Sequence, residues 1–316
     1  MFYANHGGLT MGLKKNFAFI ATTAAIVLAG CSTNQEKPKA EAAAPATAEQ
    51  PVSETATAAQ TATEAAEPEG TKTIPLASGA TLTWIKDNKG ERLMPRDLFS
   101  DASDSLFASV NQPNGIPASV STFLLKADSE YALFDAGLGS FGGETAMHLE
   151  QLGVPADSIK KIYITHMHVD HVAGLVTSMQ DGNPQKVFKN AEIYLAKAEH
   201  DAWLNLPKND LQKAVIELYK DKLHLFEFGE TLPHNITALD AIGHTPGHTV
   251  FQIEGVLIIG DLMHGYALQK DHPEINSNYD MDKQKSAENR MKFLILAKQK
   301  GLTMAGMHLP EPAFVK

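Results

Sequence analysis

From about residue 74 onward, short apolar runs alternate with amphipathic ones. Apolar runs bounded by Gly, Pro, Asn or Asp and rich in β-branched or aromatic residues predict strands. They fall at 81–86, 120–126, 131–134, 162–165 and 192–196, and again at 223–228, 236–240, 249–253, 256–259 and 302–305. Helical spacing covers 144–152, where Gly153-Val154-Pro155 stops it, then a stretch through Trp203, the segment 210–221, and the longest candidate, 282–300. Strands and helices interleaved over one stretch predict an α+β fold of sheets covered by helices, rather than a bundle or a barrel.

The first 73 residues follow a different pattern. Lys14 and Lys15 precede the apolar stretch 17–28, which is too short to cross a bilayer and ends in Leu28-Ala29-Gly30-Cys31. A basic start, a short apolar centre and small residues before a cut predict a signal peptide over 1–30, with Met11 a better start than Met1. Leu-Ala-Gly-Cys resembles the bacterial lipobox, so Cys31, the only cysteine, is the expected lipidation site. Residues 31–73, rich in Ala, Thr, Glu and Pro and without an aromatic residue, predict a disordered tether. An exported domain, 74–316, held at the cell envelope by a lipid anchor is the expected organisation. The formal net charge of −10 argues against nucleic acid as a partner. Oligomeric state is left open, a dimer included.

Chemistry concentrates after the strand at 162–165, in His166-Met167-His168-Val169-Asp170-His171. Three imidazoles and a carboxylate offer nitrogen and oxygen donors suited to zinc and similar ions. With helix starting near Asp170, the first two histidines turn to one side and Asp170 with His171 to another, which suits two neighbouring metals. Other strand ends carry more donors: Asp135, the two histidines of Gly243-His244-Thr245-Pro246-Gly247-His248, Asp261, and His308. No thiolate takes part, because Cys31 lies far upstream.

The series His166-x-His168-x-Asp170-His171, His248, Asp261 and His308 resembles the metallo-β-lactamase superfamily over residues 74–316. That resemblance implies the four-layer αβ/βα sandwich and a centre of two divalent cations, zinc foremost. It implies His166, His168 and His248 at one ion, Asp170, His171 and His308 at the other, and Asp261 bridging both. Asp135 is then expected to orient a ligand imidazole. His244 is expected to stay a loop residue or to support a ligand from behind, with His264 lining the pocket; Phe107, Trp203 and Tyr266 are expected on the pocket wall or, equally, in the core.

Segments around Asp135, His166, Asp261 and His308 look most like methyl parathion hydrolase and quorum-quenching lactonases. The expected reaction is hydrolysis of a small neutral lactone, aryl ester or phosphotriester by a hydroxide bridging two metals, with Asp170 passing a proton to the leaving group. A β-lactam-hydrolysing enzyme and a non-catalytic metal-binding lipoprotein are the alternatives. The missing cysteine speaks against the first, and a shared two-metal cluster with open positions against the second. Relatives add a further strand after the final histidine. Here Phe314-Val315-Lys316 closes the sequence, so either an open sheet edge or a truncated C-terminus is expected.

Overall fold

The structure, a computed structural model, describes residues 66–180 and 182–316. The expected signal peptide, Cys31 and residues 31–65 of the expected tether lie outside the described residues. Strand β1 (Thr71–Pro75) pairs antiparallel with β2 (Thr81–Lys86), so the folded part begins a few residues before position 74. Next comes a hairpin of β3 (Arg92–Met94) and β4 (Ile116–Ala118), with helix α1 (Asp104–Ser109) between its strands.

The first sheet continues through β5 (Ser121–Ala127), β6 (Glu130–Phe134) and, after α2 (Thr145–Gln151), β7 (Ile159–Ile164). Helix α3 (Val169–Val172) leads to β8 (Glu192–Ala196), and α4 (Lys197–Asn205) with α5 (Asp210–Tyr219) to β9 (Leu223–Phe226). Strand order is β1-β2-β5-β6-β7-β8-β9, antiparallel as far as β6 and parallel from β6 to β9.

The second sheet runs β10 (Thr231–Leu232), β11 (Ile236–Asp240), β12 (Thr249–Ile253) and β13 (Val256–Ile258). After α6 (Tyr266–Gln269) and α7 (Lys283–Lys300) it finishes with β14 (Thr303–Ala305) and β15 (Phe314–Val315). Its spatial order is its chain order, with β13 and β14 the parallel pair. Of the two expectations for this end, the open edge beside β14 is not found: Phe314 pairs with Ala305 and Val315 with Met304. Two residues are too few to show as a periodic run, which is why patterning alone did not reveal β15.

Alternation along β7 shows how the layers are made. Ile162 and Ile164 are buried under the helices with Trp203, Val215 and Tyr219, whereas Tyr163 faces the second sheet. Between the sheets the Tyr163 ring lies 5.3 Å from Phe134, 5.1 Å from Tyr194 and 5.8 Å from Phe251. Helix α7 adds Phe293 and Ala297 to that same core. Asp282 caps α7 by accepting the Lys285 N–H, and Gly301 ends it at φ 63°. The result is the α+β fold that the pattern predicts, in the four-layer αβ/βα sandwich that the resemblance implies.

The topology also decides where chemistry can sit. Asp135, the segment 165–171 and Glu199 follow β6, β7 and β8, while Asp261 and His308 follow β13 and β14, all at C-terminal ends of parallel strands. Such ends gather loops from many strands at one edge.

Phe251 is fully buried at the aromatic junction of the two sheets. Phe251→Ala should cost about 3–5 kcal/mol of unfolding free energy in urea titration, a loss read from the midpoint at unchanged slope.

Candidate metal centre

β7 ends at Ile164, and His168, with an extended backbone (φ −64°, ψ 159°), stands just before the first turn of α3. Side chains two apart on extended chain share a side, so His166 and His168 project together; Asp170 and His171 belong to the helical turn. Asp135 holds a left-handed φ of 60°, unusual for a residue with a Cβ, and is completely buried. Its carboxylate accepts the Thr165 N–H at 2.8 Å, the Thr165 hydroxyl at 2.7 Å and the His171 Nδ1–H at 2.7 Å.

That last bond is one of a set. His166 donates Nδ1–H to the Thr165 hydroxyl oxygen at 3.1 Å, His308 to the Ser119 carbonyl at 2.8 Å, and His244 to Asp280 Oδ1 at 3.0 Å. Each of these four imidazoles therefore turns its Nε2 inward, where a bound cation would meet it. His168 turns Nδ1 inward, 2.9 Å from Nε2 of both His166 and His244.

Asp261 lies among them. Its Oδ2 is 3.2 Å from His244 Nε2 and 3.6 Å from His166 Nε2, and also 3.2 Å from His308 Nε2. Its Oδ1 is 3.1 Å from His171 Nε2. Asp170 Oδ2 is 3.3 Å from His308 Nε2. Four overlapping groups have donor atoms within 4.8 Å of one another: His166, His168, His244 and Asp261; beside them Asp170, His171 and His308; and two that share His264, one with His244 and Asp280 and one with Asp261 and His308. His171 Nε2 and Asp261 Oδ1 are buried and have no hydrogen-bond partner among the described residues. Buried polar atoms of this kind call for an electrophile, and nitrogen with carboxylate donors suits a divalent ion.

His248 joins none of these groups, contrary to the expectation. Its Nδ1–H donates to the Ala241 carbonyl at 3.1 Å, and its Nε2 accepts the Asp261 N–H at 3.0 Å. Both ring nitrogens are spent on backbone, which leaves no lone pair for a metal. His244, four residues earlier, stands in its place. His264 lies where the pocket expectation put it, with Nε2 3.2 Å from Asp261 Oδ2 and its ring stacked on His308. The cavity over the cluster has a volume near 350 Å³ and is walled by Arg92, Met94, Val120, Leu138, Val169 and Tyr279. Phe107 and Trp203 follow the core reading, and Tyr266 lines a separate surface groove.

Sequence reasoning passed over Glu199 altogether. It is fully buried on α4, and its carboxylate accepts Met167 N–H (2.9 Å) and Trp203 Nε1–H (2.5 Å) on one oxygen. The other oxygen accepts the Thr245 hydroxyl (2.8 Å) and Gly247 N–H (2.7 Å). One side chain thus staples the loop after β7 to the loop after β11. Gly247 packs against Glu199 so closely that a Cβ there would meet Glu199 N at 2.2 Å.

Burial and mutual charge sort the cluster's titrations. Burial drives His168 and His248 down to about 3. Burial also opposes charge on His308, yet Asp261 and Asp170 outweigh it and lift this imidazole to about 10. For Asp261 burial acts upward, but His171 and His308 hold it well below the usual carboxylate range.

The sequence profile of the metallo-beta-lactamase superfamily matches residues 115–308. Among solved structures, the chain is similar to AidC, described as a dizinc quorum-quenching lactonase in complex with a product, N-hexanoyl-L-homoserine. Identity is 25% and the TM-score 0.69, covering 78% of this chain and 94% of that one. It is also similar to the hydrolase AbOPH, described as belonging to the beta-lactamase superfamily, at 26% identity and a TM-score of 0.66, covering 78% and 92%. No curated protein sequence matches.

Replacing Glu199 by Gln keeps its shape but turns an amide NH2 toward two of its four donors. Thermal and urea unfolding should show a loss on the order of 2–4 kcal/mol, larger than a surface Glu→Gln change gives.

Proposed function

The chain belongs to the metallo-beta-lactamase superfamily, and from that premise we propose that it is a dinuclear metal-dependent hydrolase of lactones, aryl esters or phosphotriesters. The observation that carries this reading is the position of Asp261, whose two carboxylate oxygens face different imidazoles of two adjoining donor groups. His166, His168 and His244 would hold one ion and Asp170, His171 and His308 the other, with Asp261 shared. Two divalent cations, zinc foremost, supply a water-derived nucleophile near neutral pH and Lewis acidity toward the electrophilic oxygen.

The chain's own residues do the rest. Asp135, Thr165, Ser119 and Asp280 hold four ring nitrogens so that their partners point inward, fixing the donors before any substrate arrives. Asp170 lines the cavity with its side chain 26% exposed, so a carboxylate oxygen is available to pass a proton to a leaving alkoxide or phenoxide. Met94, Val120, Leu138 and Val169 exclude water around the reacting bond. A cavity of this size and apolar lining suits a small, largely uncharged molecule. The product seen in AidC makes acyl-homoserine lactones the first substrates to try.

Export and anchoring through Cys31 are part of the same proposal, supported by Leu28-Ala29-Gly30-Cys31 after a basic, apolar leader.

Metal-loaded protein should carry about two divalent ions per chain and hydrolyse at least one of an acyl-homoserine lactone, phenyl acetate or a paraoxon-type triester. It should leave a chromogenic cephalosporin intact. Chelation should abolish turnover and re-addition of zinc restore it, while Asp261→Ala should reduce both ion content and rate to background. Undiminished turnover in the Asp261 variant would sink the assignment.

A further inference from the structure

Behind His244 lies a network that the proposed reaction does not itself require. Asp280 is buried and makes three bonds of one kind: Oδ1 accepts His244 Nδ1–H, while Oδ2 accepts the Ser277 N–H at 3.0 Å and Arg290 Nη2 at 3.1 Å. Arg290, on α7, is itself buried. It donates Nε–H to the Leu262 carbonyl at 2.7 Å, and Nη1 to the carbonyls of Pro273 at 2.7 Å and Ile275 at 2.9 Å. Leu262 directly follows Asp261. The Arg290–Asp280 pair therefore reaches two donor-bearing segments at once, one through a side chain and one through the backbone.

The same segment is strapped down on both sides of Asp280. Met281 and Asp282 donate their N–H groups to the carbonyls of His244 and Gly243, at 3.2 and 2.8 Å. Asn278 donates its N–H to the Leu98 carbonyl at 2.8 Å and its side-chain amide to Asp97 at 2.8 Å. Between these ties sits Tyr279, on the cavity wall, with its ring 5.5 Å from that of His264.

We propose that Asp280, held by Arg290, is the positioning residue that selects the His244 tautomer and thereby sets the affinity of one of the two ion sites. Three donors converge on this carboxylate, and an ionised carboxylate can only accept. His244 must then carry its proton on Nδ1, which leaves the Nε2 lone pair aimed at the cluster. Asparagine has the same shape but only one acceptor oxygen. Ser277 N–H and Arg290 both claim that oxygen, so the amide NH2 would face His244. The ring would answer with a bare Nδ1 and a proton on Nε2, the tautomer that cannot ligate.

This inference rests on the reading of the site as dinuclear, and its test separates the two. Zinc affinity is measured by chelator competition on the full protein, stripped and reloaded, together with histidine tautomers from long-range 15N–1H NMR. Wild type should bind two zinc ions tightly, with His244 protonated on Nδ1 in the stripped protein. Asp280→Asn should keep one tight ion and bind the other roughly 10–100-fold more weakly, the range typical for losing a carboxylate behind a ligating imidazole. Its His244 should carry the proton on Nε2. A variant that binds both ions at wild-type affinity overturns the proposal and leaves the dinuclear reading intact. A wild type that takes up no second ion overturns the dinuclear reading itself. Should Asp280→Asn fail to fold, a wild-type His244 without a proton on Nδ1 is enough to overturn the proposal.

Discussion

Everything at the candidate centre depends on the burial of the Asp261 carboxylate among imidazoles. A lone carboxylate removed from water is costly, and the fold meets that cost by surrounding Asp261 with His166, His171, His244, His264 and His308. The imidazoles in turn need fixed orientations, or their lone pairs would scatter. Backbone carbonyls, a threonine hydroxyl and two further buried carboxylates, Asp135 and Asp280, supply those orientations. The sandwich exists to make this arrangement reachable. It brings the ends of β6, β7, β13 and β14 to one edge, and the long helix α7 behind them carries Arg290.

How far the centre can be read from the residues depends on whether each contact is local. His166 to His171 announce themselves because four donors lie within six positions of a predicted strand end, where geometry follows from backbone periodicity alone. Asp261 and His308 are legible for the same reason, each two or three positions past an apolar run. The pair His244 and His248 is not. Both lie in one Gly- and Pro-shaped loop, and periodicity treats them alike. Backbone groups decide between them: the Ala241 carbonyl and the Asp261 N–H consume both nitrogens of His248, and neither contact has a signature in the sequence.

Two other buried carboxylates were hidden for a related reason. Glu199 falls in Lys197-Ala198-Glu199-His200-Asp201, which reads as the polar first turn of a surface helix. Asp280 falls in Ser277-Asn278-Tyr279-Asp280, which reads as a loop. Only tertiary packing tells a buried, fully bonded acid from a solvated one. At the level of the fold, apolar runs located the central strands of both sheets because both faces of those strands are covered. They were silent about the edge strands β1, β10 and β15, where pairing is set by what lies alongside and not by period.

The staple made by Glu199 has a further meaning for how such a molecule could change over time. Met167 belongs to the first sheet's loop and Thr245 with Gly247 to the second's, yet a single side chain bonds all three. The two halves of the sandwich each carry part of the cluster, but they are not interchangeable modules. A half recombined from another protein would have to arrive with the same loop register opposite Glu199, and with a glycine where Gly247 sits. Inheritance of the centre is thus tied to inheritance of the inter-sheet seam.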